Sequence, residues 1–177
     1  MARSKGVTIA VKVPINWDVM TRRTKQRLRQ IVGRDTRVIR SFLGVIEQHE
    51  TKLLIGKKRN RISDGELDKL TMTALKVKTG QNQRLSVPHD FKAKFSRISF
   101  NELQECRQTA VAGYESYLEL RSKNGMRASR PCKVTSSRRI PRWTFSQRFR
   151  LIENMTTAAR WWVNLRDSLD SVLLCLF

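Results

Sequence analysis

Residues 99–125, SFNELQECRQTAVAGYESYLELRSKNG, decide the fold. Ser99 and Glu102 stand three apart at the start of an apolar series, the spacing of a capping box in which each side chain satisfies the other's backbone N–H. Leu103, Cys106, Ala110, Tyr114, Tyr117 and Leu118 then recur at three and four residues, so they line one side of a helix. Asn124-Gly125 suits a left-handed helix end. The stretch therefore predicts a helix over 100–122 with one buried stripe.

Working upstream, residues 79–98 hold Gly80 and Pro88 and sustain no period, which reads as a linker with one turn of helix. Ser63 and Glu66 form a second capping box, opening a short helix DGELDKLTMTALK at 64–76, and GKKRN at 56–60 is a basic loop. From Thr21 to Leu54 the apolar residues Leu28, Ile31, Val32, Val38, Ile39, Phe42, Val45, Ile46 and Leu53 follow a helical period, with Gly33 and Gly44 as expected points of interruption. At the start, VTIAVKVPI (7–15) alternates Val7, Ile9, Val11 and Val13 with Thr8, Ala10 and Lys12, the pattern of a strand with one buried face.

Downstream the period changes to two. Trp143, Phe145, Phe149 and Leu151 fall on one face, with Thr144, Ser146, Arg148 and Arg150 on the other. After ENMTTAA, the segment RWWVNLR alternates Trp161, Val163 and Leu165 with Trp162 and Asn164, completing a hairpin. The strand pattern ends by Leu165, which leaves VLLCLF (172–177) as an apolar tail expected to be dispensable.

Charge narrows the function. The chain of 177 residues carries 36 basic and 15 acidic side chains, a net +21. Residues 121–150 alone hold ten Lys or Arg and no acid. So large and uneven a charge repels itself when free, and a polyanion would neutralise it. Nucleic acid leads, with an anionic membrane surface behind it. Arg127, Arg130, Lys133, Arg138, Arg139 and Arg142 can reach phosphates, Arg148 and Arg150 extend that surface along a strand, and Trp162 is a candidate for stacking on unpaired bases. For Trp143 the barrel core is the expected place.

Other chemistry finds little support. Cys106, Cys132 and Cys175 lie far apart and are odd in number, which fits a reducing compartment better than a disulfide scaffold. His49 and His89 have no neighbour at ligand spacing, so neither a zinc site nor a Cys-His or Ser-His pair is written here. Asp64, Glu66 and Asp68 splay around a helix start, where acids complement the helix dipole. No catalytic residue, metal ligand or cofactor is assigned. The N-terminal apolar run is broken by Lys12 and Pro14, too short for a signal peptide or membrane span, so a cytoplasmic protein with no membrane partner is expected.

The segments TALKVKTGQNQRLSVPHDFKAKFSRISFNELQECRQTAVAGYESYLELRSK (73–123), RIPRWTFSQRFRLIEN (139–154) and RWWVNLRDSL (160–169) together resemble the N-terminal part of the TnpB-type proteins, the OrfB products of insertion sequences, with archaeal members most alike. That family is transposase-associated, comprises RNA-guided DNA nucleases, and is similar to ancestors of the type V CRISPR effectors. The resemblance implies an α+β fold: a small wedge-like β-barrel formed by the N-terminal strand (1–15) and strands within 125–170, with a helical recognition domain (16–124) inserted between them and 171–177 as an atypical tail. It also implies a structured guide RNA and target DNA as partners. The family's RuvC-like nuclease domain and its three metal-binding carboxylates have no counterpart here. The expected product is thus a binding portion that does not cut by itself, from a truncated, frameshifted or split gene, with a separate chain as the source of any nuclease domain. A general basic RNA-binding or ribosome-associated protein is the alternative.

Overall fold

A computed structural model describes residues 15–71, 87–124, 128–131, 143, 148–153, 155, 160–167 and 171–175. Helices α1 (Arg22–Gln48), α2 (Glu50–Leu53), α3 (Asp64–Thr71), α4 (Phe91–Lys94) and α5 (Phe100–Asn124) are joined by two small antiparallel sheets. One pairs β1 (Leu54–Ile55) with β2 (Arg61–Ile62), and the other has the order β3 (Phe149–Glu153), β4 (Trp161–Arg166), β5 (Ser171–Cys175). The architecture is α+β. The strand expected at 7–13 lies outside the described residues, and with it the closure of a barrel.

Helix α5 starts as its sequence dictates. The Ser99 N–H donates to Glu102 Oε2 at 2.7 Å and the Glu102 N–H donates to Ser99 Oγ at 3.3 Å, closing the capping box in both directions. At α3 only half of the second box forms: the Glu66 N–H donates to Ser63 Oγ at 3.3 Å, while the Glu66 carboxylate turns to Lys69. Thr21 caps α1 by accepting the Thr24 N–H at 3.2 Å.

Gly33 and Gly44 do not interrupt α1, which runs unbroken for 27 residues, about 40 Å at 1.5 Å per residue. Burial on both sides of each glycine holds the helix: Ile31, Val32, Val38, Ile39, Phe42, Leu43, Val45 and Ile46 are all buried, and this packing outweighs a glycine's intrinsic cost of about 1 kcal/mol. The 56–60 loop is the turn of the β1-β2 hairpin, with Gly56 at φ +85° and Arg59 at φ +47°. Strands of two residues carry no readable period, so the sequence pattern does not announce this hairpin.

The core has two parts, and α1 belongs to both. Its C-terminal half packs with α2, α3, α4 and α5 around Phe42, Leu53, Leu67, Phe91, Leu103 and Tyr114, with the Phe42 and Phe91 rings 4.1 Å apart. Its N-terminal half offers Leu28, Ile31 and Val32 to Leu165 of β4, with Ile15, Trp143, Phe149 and Val163 half-buried against them. Trp143 thus packs half-buried against this part of the core.

The tail expectation is corrected. Ser171–Cys175 form β5, paired antiparallel to β4 from Arg166↔Ser171 to Trp162↔Cys175. Without it β4 would present a row of unpaired backbone groups, so an apolar run with the look of a surplus tail closes the ladder on that side. Among the described residues no helix is long and apolar enough to cross a membrane.

Candidate nucleic-acid interface

Of the basic residues singled out by sequence, Arg127, Lys133, Arg138, Arg139 and Arg142 lie outside the described residues. Arg130 is half-buried, and its Nη1 donates to Glu47 Oε1 at 2.8 Å, tying the chain after α5 to the end of α1.

Arg148 requires a correction. Alternation assigns it to an outward face, but it is 3% exposed, one residue ahead of β3 and inside the angle between α1, α5 and the sheet. Its guanidinium meets Asp35 Oδ2 at 3.2 Å and Glu102 Oε1 at 2.6 Å, with Glu105 Oε2 at 4.0 Å. Its backbone still follows the ladder, the carbonyl accepting from the Arg166 N–H at 2.8 Å, so what differs from the expectation is the surroundings and not the alternation. A buried arginine needs carboxylates around it, and α1 and α5 supply them.

Arg34 works in parallel with Arg148, reaching Asp35 at 2.9 Å, Glu102 at 3.1 Å and Asp167 at 2.7 Å, while Arg27 meets the other oxygen of Asp167 at 2.7 Å. Beside this network is a cleft of about 220 Å³ lined by Ser99, Asn101, Glu102, Glu105, Arg148, Arg166 and Asp167. Burial opposes ionisation of Glu102, yet the Ser99 N–H and the Arg148 and Arg34 guanidiniums outweigh it and hold the carboxyl at about 2. Burial pushes Asp35 and Asp167 the other way, above the usual carboxylate range, against the pull of Arg34. The network fixes α1, α5 and β4 to one another. Its charges are turned inward, so it braces a surface without forming one.

Two exposed basic faces are the candidates. The first is the sheet face turned away from α1. Pairing sets Arg150 opposite Asn164 and Ile152 opposite Trp162, so these four share the face opposite to Leu165 and Phe149, which pack on α1. Arg150 is exposed and Trp162 half-buried there. Two of the expected residues, a cation and an aromatic, are therefore brought onto one side of a small antiparallel sheet.

The second face has no counterpart among the residues singled out by sequence. Arg22, Arg23 and Lys25 occupy the first turn of α1, with no acid in that turn, and Arg29 follows one turn later. Trp17, 37% exposed, lies before the cap, with the Lys25 ammonium 5.8 Å and the Arg29 guanidinium 5.4 Å from its ring centroid. Among the described residues no carboxylate pairs with Arg22, Arg23, Lys25, Arg29 or Arg37. A sequence signal exists: residues 19–34 hold six basic side chains and no acid. It is shorter than the run at 121–150 and overlaps the helical apolar period, which masks it.

Asp64 and Asp68 meet Arg107 at 3.4 and 2.8 Å, and Glu66 meets Lys69, so the three acids near the start of α3 are occupied by cations. Burial pushes the Cys106 thiol well up, away from the thiolate a nucleophile needs. His49 and His89, isolated in sequence, meet in space with Nε2 atoms 3.2 Å apart. Compared with known protein families, curated proteins and solved structures, the chain matches none of them.

Proposed function

We propose that this chain binds RNA, with the N-terminal end of α1 and the outer face of the β3-β4-β5 sheet as its phosphate- and base-contacting surfaces. The carrying observation is the first turn of α1. A helix N-terminus already bears about half a positive charge, and each cation placed there costs on the order of 0.3–1 kcal/mol. Arg22, Arg23 and Lys25 sit at that end with Arg29 and exposed Trp17 beside them and no carboxylate paired among the described residues. Stability alone disfavours the arrangement, whereas a polyanion turns every part of it to advantage: the guanidiniums, the ammonium and the helix dipole all favour phosphate. Trp17 and Trp162 supply ring faces for unpaired bases.

Within this reading the resemblance to TnpB-type proteins supplies the more specific form. The chain would hold a structured guide RNA, and with it the short DNA duplex beside a target, through a wedge-like barrel that includes residues 7–13, while base pairing reads the sequence. Binding is the activity assigned to these residues.

The test is the salt dependence of RNA binding. Replacing Arg22, Arg23, Lys25 and Arg29 together by Gln is expected to reduce the slope of log affinity against log salt by roughly 0.7 for each single-strand phosphate that is no longer neutralised. The same change is expected to leave the thermal midpoint unchanged or higher, because it removes like charge from the helix's positive end. An unchanged slope overturns the assignment to α1. The identity of RNA copurified with the full chain separates a guide RNA from ribosomal or mixed RNA.

A further inference from the structure

The histidine pair stands apart from the basic surfaces. His49 caps the junction of α1 and α2: its N–H donates to Val45 O at 3.0 Å, and its carbonyl accepts from Lys52 and Leu53 at 3.0 Å. His89 precedes α4, and its N–H donates to Leu70 O at 2.9 Å. Both backbones are thus anchored, and the two rings approach with centroids 5.4 Å apart and planes at 69°. Their Nε2 atoms face each other at 3.2 Å. Two imidazole nitrogens bound at about 2.05 Å to one tetrahedral ion lie about 3.3 Å apart. The observed separation is one edge of such a tetrahedron.

We propose that His49 and His89 form a two-imidazole site for a borderline divalent ion of the Zn²⁺, Co²⁺ or Ni²⁺ class, clamping the segment before α4 to the C-terminal end of α1. Imidazole selects this class over Mg²⁺ and Ca²⁺, which require oxygen ligands. The adjacent acids are committed elsewhere: Glu50 accepts from Tyr114 Oη at 2.7 Å, and Asp90 accepts from the Ala93 N–H at 2.9 Å. Among the described residues no third ligand stands beside the pair, so the remaining coordination positions fall to water or an exogenous ligand. Lys94 is drawn aside, near Ser41 Oγ at 3.4 Å and the Phe91 and Phe95 rings.

The chain has only 2 histidines, so their imidazole NMR signals can be assigned without ambiguity. Zn²⁺ alone, added to the full chain in a non-coordinating buffer near neutral pH, is expected to shift both sets of signals together at one ion per chain. Co²⁺ is expected to show the intense visible absorption of a four-coordinate site. His49→Gln and His89→Gln, each checked for folding by circular dichroism, are each expected to weaken binding roughly tenfold or more. Unshifted imidazole signals in the unmodified chain, or folded variants that bind as tightly as it does, overturn the proposal.

Discussion

The two ends of α1 share one helix and lead opposite lives. Toward its C-terminus Val38, Ile39, Phe42, Leu43 and Ile46 are enclosed by α2, α3, α4 and α5, and Glu47, near the end of the helix, is matched by Arg130. Toward its N-terminus the buried residues are few, Leu28, Ile31 and Val32, and they rest on a three-stranded sheet, while the exposed side carries cations paired with no described carboxylate. Between them Arg34 and Asp35 mark the crossover, locked to Glu102, Arg148 and Asp167. Stability is concentrated at one end and charge at the other. A helix held firmly at its far end can present a self-repelling turn without unfolding.

The sharpest way to break this contrast is to remove residues 171–177. Loss of β5 strips β4 of its second partner and weakens the platform under Leu28, Ile31 and Val32. Hydrogen exchange is expected to show loss of protection throughout β3, β4 and the first half of α1, with α5 amides still protected. If α5 loses protection equally, the two ends form one cooperative unit and the contrast fails.

A smaller effect tests the crossover. The Glu102 carboxyl is held at about 2 in the folded chain, below an unfolded value near 4.5, so its contribution is fully present above about 4.5 and is lost as pH falls toward 2. Asp35, raised by burial, runs the opposite way, its ionised form being costly above the carboxylate range and relieved as pH falls. Glu102→Gln is therefore expected to destabilise at neutral pH by roughly 3 kcal/mol, the cost of breaking a buried ion pair, and to approach the unmodified chain near pH 2. Denaturant midpoints of the two proteins as a function of pH give the answer; parallel curves would mean that Glu102 is not the ionised partner of Arg148.

The smallest effect concerns the helix that joins both ends. A Cβ added at Gly33 or Gly44 meets nothing within 4 Å. Gly33→Ala and Gly44→Ala are each expected to raise stability by about 0.5–1 kcal/mol, read as an upward shift of the thermal midpoint. Destabilisation by either would show that α1 is less regular at that position than it is here.

Much of the helical end is legible in the sequence. The Ser99–Glu102 box, the Leu103-to-Leu118 stripe and the period through α1 are local signals, written within a few residues of where they act, and each corresponds to a helix. The single turn expected within 79–98 is α4. Less of the sheet end is legible. Phe149↔Leu165 and Leu165↔Val172 are pairings between separate segments, and the carboxylates that α1 and α5 bring to Arg148 decide that it is enclosed. Of the candidate surface, the sequence points to Arg150 and Trp162, and it contains the basic run at 22–29 without marking it as exposed.

The sequence by itself determined the helical periods, the caps, the α+β class and the excess of positive charge, because each depends on residue type and near-neighbour spacing. Only the tertiary structure decided which charges are inside. Arg148 and Arg150 have the same side chain two positions apart, yet one is enclosed by Asp35, Glu102 and Glu105 while the other is exposed. It likewise brought His49 to His89 across forty positions and gave VLLC a strand to pair with. Burial of a charge is set by the partners that come from elsewhere in the chain, and no local pattern specifies those.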